Sequence, residues 1–296
     1  MEFMFGADPE YFVSRKVNGE DFCVPPITIR RKGFKLVKED ERHPQFRIIP
    51  GIGGEIIIHE DGAAFELCVP VSKDMKTVWK NCKIGQEEIK KIAEEYGYNF
   101  SPVPTIAFDT HEFKNDEQGI YCTRFGCDRD YDAWETEIEQ MEEDASEHKY
   151  RYGGGHAHTS IKDSNILKNS PVPAIKALSL TVGNFIVSVS PYPELDKIRT
   201  YRYGRPGRFR PQKYTNGAFG IEYRTPSNAW TTLHSESIIE EMEYWIKIGI
   251  ERILTDPDLL LGLTMEIKEQ TFNAILMCNQ KLAEKNLQYI KDVMHL

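Results

Sequence analysis

One short segment of the chain concentrates positive charge. Five arginines fall within twelve residues, although the whole chain carries a formal net charge of −9. Gly204 and Gly207 flank Pro206, a pattern that predicts a turn whose backbone can approach a ligand closely. Guanidinium groups suit phosphate recognition, so this segment is a candidate phosphate-binding element. Its arginines are Arg199, Arg202, Arg205, Arg208 and Arg210.

The sequence F-G-I-E-Y-R follows this segment and alternates apolar with polar residues, which predicts a strand. Glu222 and Arg224 are two residues apart, so they should lie on one face of that strand. Such a carboxylate could hold a metal ion while the arginines hold phosphates. The same residues also fit an ordinary surface ion pair beside a solvated loop. Other parts of the chain must decide between these two interpretations.

A pair of acids lies near the N-terminus. Residues 3–13 predict an opening strand in which Asp8 and Glu10 face the same way. Pro9 cannot donate a hydrogen bond to a neighbouring strand, so it indicates a bulge or the end of a sheet. Two carboxylates directed together repel each other and are costly to desolvate, and a divalent cation would balance them. A solvated strand end is the alternative.

A third acid lies in a predicted hairpin. Residues 48–70 predict two strands around a turn at Asp61-Gly62. Glu66 stands in the short apolar run F-E-L-C-V, so it should be buried and partnered. Asp61 is a further candidate ligand, although a D-G turn is sufficient to explain its presence.

Two histidines follow three glycines in the sequence G-G-G-H-A-H. His156 and His158 would share a face if this segment is a strand, and the glycines would leave room for a ligand. Imidazole groups bind metals and donate hydrogen bonds to phosphate. Surface histidines on a glycine turn are the alternative. No Cys/His pair with zinc-finger spacing accompanies these histidines or Cys122 and Cys127.

The remaining pattern is largely helical. Ser72 is predicted to cap a helix that runs to about Tyr96, and the acidic residues 128–145 predict a solvated helix. Residues 165–190 predict a buried helix with a β-branched end. Two further helical segments are predicted at 234–254 and about 265–292, separated by the D-P-D sequence at 256–258. These helices should cover one face of a sheet.

The composition narrows the class of protein. With 40% hydrophobic and 28% charged residues, the chain should be a soluble globular protein. Its acidic balance argues against nonspecific nucleic-acid binding, and neither a signal peptide nor a bilayer-length apolar run is evident. The six cysteines contain no C-x-x-C pair, so we expect free thiols in a reducing compartment. The cytoplasm is the predicted location.

Taken in order, these motifs resemble those of the phage carboxylate–amine ligases, or amidoligases, of the glutamine synthetase and glutamate–cysteine ligase superfamily. The resemblance covers roughly residues 5–230. It rests on the ordered set G-A-D-P-E, D-G-A-A-F-E-L, G-G-G-H-A-H, R-T-Y-R-Y-G-R-P-G-R-F-R and G-I-E-Y-R-T-P-S-N.

The resemblance implies an α+β fold: a curved, mainly antiparallel β-sheet with helices on its outer face. ATP and two or three Mg²⁺ or Mn²⁺ ions would bind on the concave face. Residues 1–296 would form a single catalytic domain, with 234–296 a helical C-terminal part packed on it. Oligomerisation is open. If the protein is phage-encoded, it would act in the host cytoplasm.

The resemblance also assigns roles to individual residues. Its metal ligands would be Glu10, Glu66, Glu222 and His156, with Asp8 as a possible helper. Arg224, Arg208, Arg210 and His156 would be catalytic. Phosphate and nucleotide contacts would come from Arg202, Arg205, His158 and Tyr203.

The implied reaction joins a carboxylate to an amine through an acyl phosphate, at the expense of ATP. The substrates would be small molecules or peptides, without a membrane, and nucleic acid would enter only as an amine-bearing substrate. Two alternatives remain open. A metal-dependent hydrolase would use the same acids and histidines to activate water. An inactive ligase-like protein would bind a nucleotide or a partner without turnover.

Overall fold

The computed structural model describes residues 1–40, 43–113, 122, 130–135, 148–214 and 217–296. Within these residues the strands are β1 (Phe3–Ala7), β2 (Glu10–Val17), β3 (Glu20–Cys23), β4 (Gln45–Gly51), β5 (Gly54–Asp61), β6 (Ala64–Cys68), β7 (Asn99–Ser101), β8 (Thr105–Ala107), β9 (Tyr131–Asp132), β10 (Tyr150–Tyr152), β11 (Ala157–Ile161), β12 (Arg208–Lys213) and β13 (Phe219–Tyr223).

The same residues form α-helices α1 (Pro26–Arg31), α2 (Met75–Glu95), α3 (Ile166–Asn169), α4 (Pro171–Leu178), α5 (Asn184–Ser188), α6 (Pro193–Thr200), α7 (Ala229–Thr232), α8 (Glu236–Ile248), α9 (Pro257–Leu276) and α10 (Gln280–Met294). Two π-helical segments, Ser179–Gly183 and Gly249–Ile253, join α4 to α5 and extend α8.

The strands form two open sheets. The first sheet has the antiparallel order β1-β11-β13-β12-β9. The second has the order β10-β8-β3-β2-β6-β5-β4, with β7 paired to β2, and only the short β3–β8 pairing among its described strands is parallel. The protein is therefore a mixed α and β structure with mainly antiparallel strands. This much of the predicted α+β fold is confirmed.

The predicted opening strand over residues 3–13 is divided at Pro9 into two strands. β1 ends at Ala7 in the first sheet, and β2 begins at Glu10 in the second. Pro9 lies at the crossing, where its missing N–H leaves no hydrogen bond unmade. The prediction that Pro9 ends a sheet is confirmed, and Asp8 lies where the two sheets meet.

Helices cover one face of each sheet. Alternate residues of the first sheet, among them Phe5, Ile221 and Tyr223, share a hydrophobic cluster with α4, α8, α9 and α10. In the second sheet Ile58 and Leu67 pack on α2 in a second cluster. Because side chains alternate along a strand, the residues between these apolar ones point to the opposite faces.

The helix predictions are confirmed in outline and corrected in detail. Asp74, not Ser72, caps α2 by accepting a hydrogen bond from the Thr77 N–H at 2.7 Å. Ser72 cannot cap because its backbone pairs with Phe5 in an isolated bridge. Residues 171–188 are helical throughout, since burial outweighs the weak helix preference of their β-branched residues.

The last helical segment is two helices and not one. The chain breaks after α9 at Cys278, whose φ is +46°, and Asn279 then caps α10 through the Leu282 N–H. Of the predicted acidic helix over 128–145 the structure describes residues 130–135, which contain the strand β9, and the rest of that range lies outside the described residues.

One described helical segment, Pro171–Ser188, is long and apolar enough to cross a bilayer, with a mean hydropathy of 1.2. Because 67% of this segment is buried inside the protein, it is accounted for as a core helix. The five cysteines among the described residues are all free, as predicted, and Cys127 lies outside them.

Candidate functional site

A row of side chains crosses the face of the first sheet opposite its helices. Strand pairing sets Gly6 beside His158, His158 beside Glu222, and Glu222 beside Arg210. We call these four residues the first row. The register of the strands aligns these residues across the sheet. They share one face because each alternates along its strand with apolar residues that face the helices.

Glu222 is the central acid of the first row and is 1% exposed. Arg224 and the Gln212 side-chain amide both donate hydrogen bonds to it. Burial and the nearby Asp8 charge oppose its ionisation, but Arg224, His156 and His158 outweigh them and lower the pKa of Glu222. Glu222 is therefore held as a carboxylate by cations that the protein supplies.

Asp8 bridges the two histidines. Its Oδ1 lies 3.0 Å from His156 Nδ1 and its Oδ2 lies 3.1 Å from His158 Nε2. Burial alone would raise the pKa of Asp8, but the charges of His158 and His156 hold that pKa far below its ordinary value. Burial also opposes a charge on His158, yet Asp8 raises the His158 pKa above its ordinary value. One ligand atom from each of Asp8, His156 and Glu222 lies within 4.8 Å of the others.

Tyrosine hydroxyls orient this cluster. The Tyr203 hydroxyl lies 2.8 Å from His156 Nε2 and accepts a hydrogen bond from Arg224 Nη2 at 2.9 Å. The Tyr214 hydroxyl lies 3.2 Å from His158 Nδ1. Each imidazole thus lies between Asp8 and a tyrosine.

A second row lies on the face of the second sheet opposite α2. Glu10 of β2 pairs with Glu66 of β6, and Glu66 pairs with His59 of β5. We call these three residues the second row. His59 Nε2 lies 3.1 Å from Glu66 Oε2, and Glu10 Oε2 accepts a hydrogen bond from the Gly154 N–H at 2.7 Å.

The carboxyl groups of the second row have raised pKa values. Burial, with the charges of Asp61 and Glu66, raises the pKa of Glu10 to about 7 despite the opposing effect of His156. Burial, with Asp8 and Asp61, raises the pKa of Glu66 well above its ordinary value. Asp61 also has a raised pKa, chiefly through burial. Buried acids with raised pKa values favour a cation from solution as their partner.

The two rows interact with each other. The charges of Asp8 and Glu222 raise the pKa of Glu66, and the charge of His156 lowers the pKa of Glu10. Carboxylates of both sheets therefore belong to one electrostatic site. Of the five predicted metal-ligating residues, Asp8, His156 and Glu222 bring ligand atoms within 4.8 Å of one another, whereas Glu10 and Glu66 lie in the second row and are linked to them through their charges.

The glycines before His156 do not leave room for a ligand, contrary to the prediction. A Cβ on Gly154 would collide with the His156 ring, and one on Gly155 would collide with the Ser227 carbonyl. The space beside these glycines is occupied by the protein itself. Their small size instead allows the loop to reach Glu10 and to seat His156.

The arginine-rich segment divides into buried and accessible residues. Arg199 is 1% exposed and donates to the Thr225 carbonyl at 2.8 Å and to the Pro226 carbonyl at 3.0 Å. It therefore stabilises the backbone that follows Arg224 and cannot contact phosphate from outside. Arg208 is also buried and lies 3.5 Å from Asp132.

Arg210 is half-buried in the first row, with its Nε 3.3 Å from Asp130 Oδ1. Arg202 and Arg205 lie in the predicted turn before β12, and Arg205 is exposed. The Arg202 guanidinium lies over the Tyr201 ring, 5.7 Å from its centroid. Arg202, Arg205 and Arg210 are thus the more accessible members of the segment.

Four further residues belong to the site but were not predicted from the sequence: His59, Asp130, Gln212 and Tyr214. His59 could have been found by pairing β5 with β6 in register from the D-G turn. Asp130 was assigned to a solvated acidic face, whereas it lies 2.8 Å from Arg224 Nε. No local signal marks Gln212 or Tyr214, because only the folding of β12 against β13 brings them to Glu222 and His158.

No protein-family model matches this chain, and no curated protein matches it in a sequence comparison.

Proposed function

We propose that this protein is an ATP-dependent carboxylate–amine ligase that forms an amide or peptide bond through an acyl phosphate. One observation carries the proposal. Carboxylates from two sheets, raised in pKa in one row and held ionised by arginine and histidine in the other, act on one another's charges. ATP requires both elements, since its metal ions need carboxylates and its phosphates need cationic groups.

The donor set fits hard divalent cations. Glu10, Glu66 and Glu222 offer carboxylate oxygens, and His156 with Asp8 offers one imidazole and one further carboxylate. Mg²⁺ and Mn²⁺ prefer such oxygen-rich sets. Two or three such ions, when bound, would screen the phosphate charge and polarise the transferred phosphoryl group.

Arginines would hold the anionic groups of the substrates. Arg210 lies beside Glu222 in the first row and is partly accessible, so it would contact a phosphate or acyl phosphate. Arg202 and Arg205 would bind the nucleotide phosphates from the turn before β12. The buried Arg208 and Arg224 would act mainly by maintaining the position and charge of their carboxylate neighbours.

The residues of the site also differ in their capacity to accept a proton. Asp8 is a weak base because two histidines keep its pKa low. A carboxylate or histidine of the site that holds no metal ion would take the proton of the attacking amine. Tyr203 would orient His156 and Arg224 toward the developing negative charge, where preorganised donors contribute most.

The fold supports the same proposal at a coarser level. A superfamily domain of this kind has helices on the outer face of a mainly antiparallel sheet and its site on the other face. Here helices cover one face of each sheet, and both rows lie on the opposite faces. We extend the proposal to a curved glutamine synthetase-like sheet and to a cytoplasmic location, the host cytoplasm if the protein is phage-encoded.

The direct test is release of ADP from ATP and Mg²⁺ across a panel of small-molecule and peptide carboxylates combined with amines. The wild-type protein should release ADP only when both substrates are present. Glu222→Gln should reduce the rate by about 100-fold or more, because it removes one charge at the transferred phosphate. Glu55→Gln, an exposed change in β5, is the matched control and should leave the rate unchanged.

The outcomes separate the alternatives. ADP release that needs neither carboxylate nor amine would indicate a hydrolase. Metal-dependent ATP binding without turnover by any substrate pair would indicate a nucleotide-binding protein of ligase-like shape. Absence of metal-dependent ATP binding in calorimetry would refute both the ligase and the nucleotide-binding protein.

A further inference from the structure

A second group of metal-binding donors lies at the outer end of the second row. The β5–β6 hairpin sets His59 opposite Glu66, and Cys68 follows Glu66 by two residues on the same face of β6. His59 Nε2 lies 3.1 Å from Glu66 Oε2, and His59 Nδ1 lies 3.9 Å from Cys68 Sγ. One donor atom from each of the three residues lies within 4.8 Å of the others.

The chemistry of this group differs from that of the hard-cation set. It combines one imidazole nitrogen, one thiol sulfur and one carboxylate oxygen, and sulfur with nitrogen selects borderline-soft cations such as Zn²⁺. His59 is 8% exposed, whereas Cys68 is exposed at the end of its strand. A cation could therefore enter from solvent and keep a coordination position open to water.

We propose that His59, Glu66 and Cys68 form a binding site for Zn²⁺ or a similarly soft divalent cation. Small side-chain rotations would replace the contacts of His59 with Glu66 and Cys68 by bonds to the ion. Because the three donors lie on two paired strands, the backbone already holds them in order. His43, whose ring lies edge-on to the His59 ring at 5.3 Å between centroids, is the nearest further imidazole.

The site would have a regulatory consequence, which rests on the proposed ligase function. Glu66 belongs both to this group and to the proposed Mg²⁺ ligands. An ion held by His59 and Cys68 would draw Glu66 away from Mg²⁺, so Zn²⁺ should inhibit turnover in competition with Mg²⁺. Cys68→Ser should relieve that inhibition while leaving the Mg²⁺ ligands in place.

The test that does not depend on activity is titration of the full-length protein with Co²⁺, which replaces Zn²⁺ and reports its ligands. A thiolate bound to Co²⁺ gives a charge-transfer band in the near ultraviolet, and four-coordinate Co²⁺ gives intense visible bands. The wild-type protein should show both, and added Zn²⁺ should remove them. Cys68→Ser should lose the charge-transfer band, and His59→Gln should weaken binding at least tenfold.

Cys278→Ser is the matched control, because Cys278 is a buried free thiol in the turn before α10, and it should retain the band. Circular dichroism would verify that each variant is folded. A wild-type spectrum without a thiolate band, or a band that persists in folded Cys68→Ser, would overturn the proposed site. A band accompanied by no metal-dependent ATP binding would leave this site standing and refute only the ligase.

Discussion

The two rows contain the same kind of residue in opposite electrostatic states. In the first row Glu222 is ionised because Arg224 and the histidines surround it, and its pKa is lowered. In the second row Glu10 and Glu66 have raised pKa values, because burial and other acids act on them. A buried carboxyl is stabilised as an anion only where a cation accompanies it.

The two rows therefore differ in what they need from solution. The first row carries its own cations and forms a fixed framework whether or not a ligand is present. The second row has a charge requirement that a cation from solution would meet. Asp8 lies between the strands that carry the two rows, and the charges of Asp8 and Glu222 act on Glu66.

Replacing Arg224 is the strongest test of the difference between the two rows. Arg224→Met removes the cation that serves both Glu222 and Asp130 in a buried setting. We expect the free energy of unfolding to fall by about 3 to 5 kcal/mol, as when one partner of a buried ion pair is removed. Urea denaturation without metal measures it.

Two control variants sharpen this measurement. Arg47→Met removes a partly exposed arginine 3.7 Å from Glu88 and should cost less than about 1 kcal/mol. Glu66→Gln in the second row should leave the metal-free protein equally or more stable, because the amide relieves repulsion and can still accept from His59. Equal losses for Arg224→Met and Glu66→Gln would contradict the distinction between the rows.

The second test adds Mg²⁺ to the protein. If the second row binds Mg²⁺, saturation at a hundred times Kd should stabilise the folded state by about 2.7 kcal/mol, and a chelator should remove the effect. Glu66→Gln should lose most of this stabilisation. Thermal denaturation with and without Mg²⁺ measures it, with Ca²⁺ as a comparison for size selectivity. An unchanged melting temperature over the full Mg²⁺ range would count against the metal site.

The third and smallest effect is a pH dependence at Glu10. Its pKa is raised in the folded protein to about 7, so its contribution is fully favourable below the unfolded value of 4.5 and is lost as pH rises through 7. Without metal, Glu10→Gln should therefore gain stability relative to wild type between pH 5 and pH 8, on the order of 2 kcal/mol. A difference between the two proteins that stays constant across this range would show that Glu10 is not perturbed.

The set of residues that could take part in chemistry was predictable from the sequence alone. Asp8, Glu10, Glu66, His156, His158, Glu222 and Arg224 stand in motifs whose local pattern predicts extended structure, and period-two alternation then decides which side chains share a face. The D-G turn likewise determines the β5–β6 hairpin. These are short-range properties, so a single sequence contains them.

Only the tertiary structure decided how those residues are partnered. The division of the opening segment between two sheets depends on pairings of β1 with β11 and of β2 with β6, across long stretches of chain. The inward position of Arg199 and the recruitment of Asp130, Gln212 and Tyr214 arise in the same way. The charge of a residue and its spacing from the next one can be read from the sequence. Its burial, its strand register and the cations that neutralise it depend on contacts between distant parts of the chain, and for this reason Glu222 is neutralised but Glu66 is not.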